Sequence, residues 1–194
     1  MTNCKQIILL ASLFVSNTLF AANPDDLAKL TKVTAAMPKK GLDLSNADLR
    51  AYQLAADKID LENANLSHAN LSNVNLEKVN LSHADLSYAD LSNAKLAGAN
   101  LSNANLEHAT LTNAHLNEAN LTGSALSYVS LMNADLQQAT LTQANLTCAN
   151  FNNANLTKAN FAQAIISSAT FVNTITNDIL NYDTVVDRQI TCEK

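Results

Sequence analysis

Tryptophan is absent from this 194-residue chain, and glycine (3), proline (2) and cysteine (3) are scarce. Each shortage removes a class of chemistry. Gly41, Gly98 and Gly123 stand far apart, so there is no glycine-rich phosphate loop and no nucleophile elbow. Charge is also thin: between Leu61 and Asn173 there are seven acidic and three basic residues. No basic patch is available for nucleic acid, and no basic amphipathic stretch for a membrane surface. Ile7–Val15 forms an apolar run that Ser16, Asn17 and Thr18 interrupt. It is too short for a comfortable membrane span.

What the chain has in abundance is a pattern. From Leu61 to Phe171 a large apolar residue recurs at every fifth position, 23 times: 19 Leu, together with Phe151, Phe161, Phe171 and Ile166. The residue two positions earlier is Ala in 18 cases, and the one between is Asn or Asp in 15. The unit reads Ala-(Asn/Asp)-Leu-x-x, as in Ala64-Asn65-Leu66-Ser67-His68.

A helix advances about 500° in five residues, which scatters the Leu side chains around its axis. A strand sends successive Leu to opposite faces, because five is odd. The conflict disappears if the chain turns once per repeat. Ala and Leu then point inward, Asn or Asp outward, and the two polar residues that follow make a corner. Four corners of about 90° close one coil of twenty residues. The last position of the repeat supports twenty: identities at that separation number six of nineteen, against one of twenty at fifteen and three of twenty-one at ten. One column is Asn73, Asn93, Asn113, Asn133, Asn153 and Asn173, a candidate amide ladder. Another is His68, Tyr88, His108 and Tyr128.

These repeats resemble the pentapeptide repeat family. The resemblance implies an all-β fold, a right-handed quadrilateral parallel β-helix, covering residues 42–173. Each buried Leu contributes roughly 1.5–3 kcal/mol, enough in sum for an independent fold, and the core is expected to widen at the Phe-rich carboxyl end.

The flanks differ. Residues 1–21 have the order of a secretory signal: Lys5, the apolar run, then small Ala21 and Ala22. Cleavage near Ala21 implies a periplasmic or secreted bacterial protein with no stable membrane span afterwards. Residues 22–41 are expected to cap the first coil, with a short helix over 25–37 that Pro38 ends. Leu44, Leu49, Leu54 and Ile59 keep the period of five, but Leu61 is two residues out of phase, which requires a bulge or short loop between Arg50 and Asp60. Residues 174–194 carry Ile175, Ile179, Leu180, Tyr182, Val185, Val186 and Ile190. They form either a carboxyl cap or a dimerisation tail, the latter because family members associate end to end.

No catalytic, cofactor or metal site is expected. His68 and His108 share a column but lie two coils apart, too far to share a zinc ion at about 2.0–2.1 Å. Asp85, Asp90 and Asp135 occupy the repeat's own Asn/Asp position, so the repeat explains them without catalysis. Exported β-helical polysaccharide enzymes build their sites on long loops, and no insertion interrupts 61–171 here. After cleavage Cys148 and Cys192 are the two remaining cysteines. An oxidising compartment favours a disulfide between them, with two free thiols or an intermolecular bridge as the other readings. The leading function is a rigid, non-enzymatic scaffold for an unidentified protein partner, docked at the His68–Tyr88–His108–Tyr128 column, though simple stacking along the rod also explains those residues. The alternative comes from the resemblance: some members mimic duplex DNA and bind gyrase, but they present acidic surfaces and act in the cytoplasm.

Overall fold

The computed structural model describes residues 41, 43–50, 60–185 and 192. The expected signal, the helix over 25–37 and the segment 51–59 lie outside these residues, as do parts of both expected caps.

The backbone winds into coils of twenty residues. Single-residue parallel rungs join Asp60 to Asn80, Asn65 to Asp85, Asn70 to Asp90 and Asn75 to Lys95, and the spacing repeats without exception up to Asn160 and Leu180. Every rung residue occupies the Asn/Asp place of its repeat, so the four sides of each coil stack into four ladders. In the first coil the separation is twenty-two, Asp43 pairing with Asn65 and Asp48 with Asn70. Those two extra residues are the phase slip between Arg50 and Asp60.

The corner geometry follows from one hydrogen bond per repeat. The Ala N–H donates to the Leu carbonyl three residues back, as from Ala69 to Leu66 at 3.0 Å. The residue just before that Ala has positive φ in every repeat from Asn63 (59°) to Asp178 (52°), whereas the one before it does not. A four-residue turn with φ above zero only at its third residue is type II. Asn, Gly and His tolerate that region best, and they hold 13 of the 23 such positions from Asn63 to Asn173. The Asn or Asp ahead of the Leu locks the turn from the other side. Its Oδ1 accepts the N–H two residues on, as Asn65 does from Ser67 at 3.1 Å and Asp90 from Ser92 at 2.9 Å.

Inward, Leu and Ala fill the rod. From Leu61 to Phe161 every residue at the Leu place has at most 1% of its surface exposed. Ser124 takes an Ala place and is equally buried. It stays satisfied because its hydroxyl donates to the Leu121 carbonyl at 2.7 Å. Phe151 stacks on Phe171 (5.1 Å, 4°) and meets Phe161 edge-on.

The regular winding passes Asn173. The rungs Asn155–Ile175 and Asn160–Leu180 place 174–180 in a last coil, although the sequence pattern assigns those residues to the tail. The sides hold while the pattern inverts: Thr176 takes a Leu place, and Ile175 and Leu180 take outward Asn/Asp places. The tail's apolar group therefore divides. Ile179 and Val185 pack against the core, whereas Ile175, Leu180 and Tyr182 remain about half exposed. A 3-10 turn at Tyr182–Thr184 follows. Among the described residues, no helix is long and apolar enough to cross a membrane.

Candidate functional site

The sides of the rod differ in what they present. Over the coils from Leu61 to Asn173, most charges gather on the side that includes Glu77, Lys78, Lys95, Glu118, Asp135 and Lys158, while the neighbouring sides carry amides and hydroxyls. The rings stand on a different corner. There the positive φ of His68, Tyr88, His108 and Tyr128 (58–60°) turns each side chain outward at the same point of successive coils.

The coil spacing brings these four rings into one stack. Centroids are 4.9, 4.8 and 4.9 Å apart and the planes lie within 8° of parallel. Such distances are favourable for stacked aromatic pairs. Tyr88 is 54% and Tyr128 39% exposed; the inner rings Tyr88 and His108 have a ring on both faces, the end rings His68 and Tyr128 on one. Cys148 continues the same corner and is disulfide-bonded to Cys192, with Cα atoms 5.8 Å apart. The Cys192 sulfur lies 3.8 Å from the Ser168 carbonyl oxygen, one coil further along. The carboxyl tail is thus fastened to the side of the rod at the end of the ring stack.

The asparagine column forms amide bonds across coils. Asn113 donates to Asn93 and Asn133 to Asn113, both at 3.1 Å, and Asn173 donates to Asn153 at 3.3 Å; Asn73 occupies the same corner in an earlier coil. A second ladder escaped the sequence reading. Asn80 donates to Asp60, Asn100 to Asn80 and Asn120 to Asn100, at 3.1, 3.1 and 3.3 Å. The signal for it was a column of Asn at the place just before the Leu, hidden because Asn is common there on every side.

At the amino end, the Arg50 side chain and then its backbone N–H bond to the exposed Asp48 carboxylate and hold its pKa down at about 2. Ser45 lowers that of Asp43 in the same way. Among the described residues no group of three or more His, Cys, Asp or Glu could hold a metal ion. The four histidines stay apart, His83 and His115 on other columns.

This geometry defines a class: a right-handed quadrilateral parallel β-helix with one turn of the rod per four repeats. The model of the family described as pentapeptide repeats matches in eight copies over residues 59–98, 99–138 and 134–173, more than half of the sequence. The chain belongs to the pentapeptide repeat family. Among solved structures it is similar to a pentapeptide repeat protein of the Arabidopsis thaliana thylakoid lumen (30% identity, 49% of this chain and 66% of that one, TM-score 0.48). It spans just under two thirds of that structure's length. It is also similar to a pentapeptide repeat protein of Nostoc PCC 7120 (32% identity, 64% and 84%, TM-score 0.40). A third similarity is to QnrB1, a plasmid-mediated fluoroquinolone resistance protein (18% identity, 74% and 82%, TM-score 0.32). Comparison with curated proteins finds no match.

Proposed function

We propose that the chain is a non-enzymatic, exported pentapeptide repeat protein that acts as a rigid scaffold and docks a protein partner in the envelope or outside the cell. The ring ridge carries this reading. His68, Tyr88, His108 and Tyr128 form a continuous, solvent-facing line of aromatic edges on a rod whose interior is regularly filled by Leu, Ala and Phe. Tyrosine suits a docking surface because it joins apolar area to a polar tip. Coils stacked with an unbroken period of twenty hold those tips in fixed register, which limits the ordering cost of binding. Export rests on the order of charge, apolar run and small residues in 1–21.

The test is affinity capture from envelope and extracellular fractions with the mature protein and with a Tyr88→Ser/Tyr128→Ser variant. A partner retained by the native rod and lost by the variant supports the reading. Equal retention by both refutes the ridge as the docking surface. The DNA-mimic alternative is checked in the same preparation by a gyrase supercoiling assay, in which inhibition or protection would replace the scaffold reading. The few acids of the rod argue against it, since only Asp85, Asp90 and Glu107 lie on the two sides that flank the ridge between Leu61 and Asn133.

A further inference from the structure

The ridge alternates in chemistry and in reach. Its order is His68, Tyr88, His108, Tyr128, and successive ring centres are 4.8–4.9 Å apart. The inner rings Tyr88 and His108 have both faces taken up by neighbouring rings, and His68 and Tyr128 one face each, so along the ridge a partner meets mainly edges and polar tips: imidazole nitrogens and phenol hydroxyls. A phenol extends further from the corner than an imidazole. The outline is therefore short, long, short, long.

We propose that the ridge docks a second copy of this chain, antiparallel, across a two-fold axis that runs perpendicular to the rod between Tyr88 and His108; this rests on the reading of the ridge as a docking surface. That operation sets His68 against Tyr128 of the second copy and Tyr88 against its His108, and the reverse, in the self-complementary manner of an isologous interface. A long tooth meets a short one at all four rungs, and each phenol O–H can donate to a neutral imidazole nitrogen. Parallel pairing in register would instead oppose Tyr to Tyr and His to His, colliding at two rungs and leaving gaps at the other two. A one-coil stagger recovers three Tyr–His contacts but is head-to-tail and does not close. A second copy also has the same coil spacing, so the rungs stay in step along the whole ridge.

Two features set the strength. The contact is a line of four side chains on a convex corner, well short of the roughly 800 Å² per partner of a standard interface, so the dimer dissociates on dilution. The charged residues on the two flanking sides over these coils, Asp85, Asp90 and Glu107, are all acidic. The copies repel one another at neutral pH, and salt screens that repulsion. Dimerisation through this ridge therefore strengthens as salt is added.

The test is sedimentation equilibrium of the mature, disulfide-intact protein from about 10 μM to 1 mM, the range in which weak complexes populate, at low and high salt. His68→Asp and Tyr128→Lys, made singly, should each cut the association constant about tenfold, and the double variant should restore it. Within one chain these two residues are separated by the two rings between them and cannot pair, so rescue reports an antiparallel contact between copies. The fold accepts such side chains at this corner position, since Lys78, Lys158 and Asp178 occupy it in other repeats with φ of 60°, 59° and 52°. A monomer at every concentration overturns the proposal. So does a dimer that neither single variant weakens, or a double variant without rescue. A protein that stays monomeric yet captures a different partner through Tyr88 and Tyr128 overturns the second copy and leaves the docking reading standing.

Discussion

Leu106→Ala probes the inward column where it is least able to relax. Leu106 lies mid-rod with 0% of its surface exposed, and its N–H donates to the Ala125 carbonyl of the next coil at 2.7 Å. The backbone rungs above and below fix the coil spacing, so the walls cannot close around the missing atoms. A buried Leu→Ala change costs about 2–5 kcal/mol, with the upper part of the range where collapse is prevented. At about 2–4 °C per kcal/mol for a chain of this size, the melting midpoint should fall by roughly 4–20 °C. Glu107→Gln, one residue away on the exposed side, supplies the control and should stay within about 0.5 kcal/mol. Thermal and guanidinium denaturation followed by circular dichroism measure both variants. A rod is held by nearest-neighbour contacts between coils, so the Leu106 lesion should also broaden the transition as the two halves lose coupling. Equal midpoints for the two variants would refute the inward assignment and, with it, the fold argument from the period of five.

Three further outcomes follow from particular contacts. Asn100→Ala removes the acceptor for the Ser102 N–H and both amide bonds of its ladder, to Asn80 and Asn120. It should cost about 1–2 kcal/mol by the same denaturation assay, whereas the neighbouring Ser102→Ala should cost less. Reducing the Cys148–Cys192 bond opens a loop with a sequence separation of 44, which on loop entropy is worth roughly 3–4 kcal/mol; an unchanged midpoint in reductant would show that the tail adds nothing to the rod. Asp48 should titrate at about 2. Because its folded pKa is depressed, its contribution is complete above the ordinary carboxylate range and disappears as pH falls from about 4 towards 2. A carboxyl-carbon NMR titration should show Asp48 returning towards the ordinary range in Arg50→Gln.

Much of this was written in the sequence because a solenoid repeats each instruction. Leu at every fifth place and Ala two before it gave the inward faces, and the columns of Asn and of alternating His and Tyr gave the coil length from side chains alone. The two-residue slip before Leu61 reappears as the change from twenty-two to twenty in rung spacing. The left-handed corner was present as well, in the Asn, Gly and His of the last position, but Lys78, Glu118 and Tyr88 at equivalent places masked it. Those residues adopt positive φ because the coils on either side impose it, a tertiary cause that a single repeat does not display. The amide ladder from Asp60 to Asn120 was hidden for the opposite reason, since Asn just before the Leu already had a local role in the turn. The last coil escaped because Ile175 and Leu180 sit where the pattern calls for polar residues. Its rungs continue from the coil beneath, although Thr176 replaces the inward Leu.

The ring stack offers the most direct check on the coil itself, because proton cross-relaxation between aromatic side chains reports separations of only a few ångströms. In a nuclear Overhauser spectrum of the intact protein, the Tyr88 ring should show contacts to both His68 and His108, and Tyr128 to His108, with none from Tyr88 to His83 or from His108 to His115. Contacts at separations of five, ten or fifteen, or none between these rings in a folded sample, would contradict a four-sided coil.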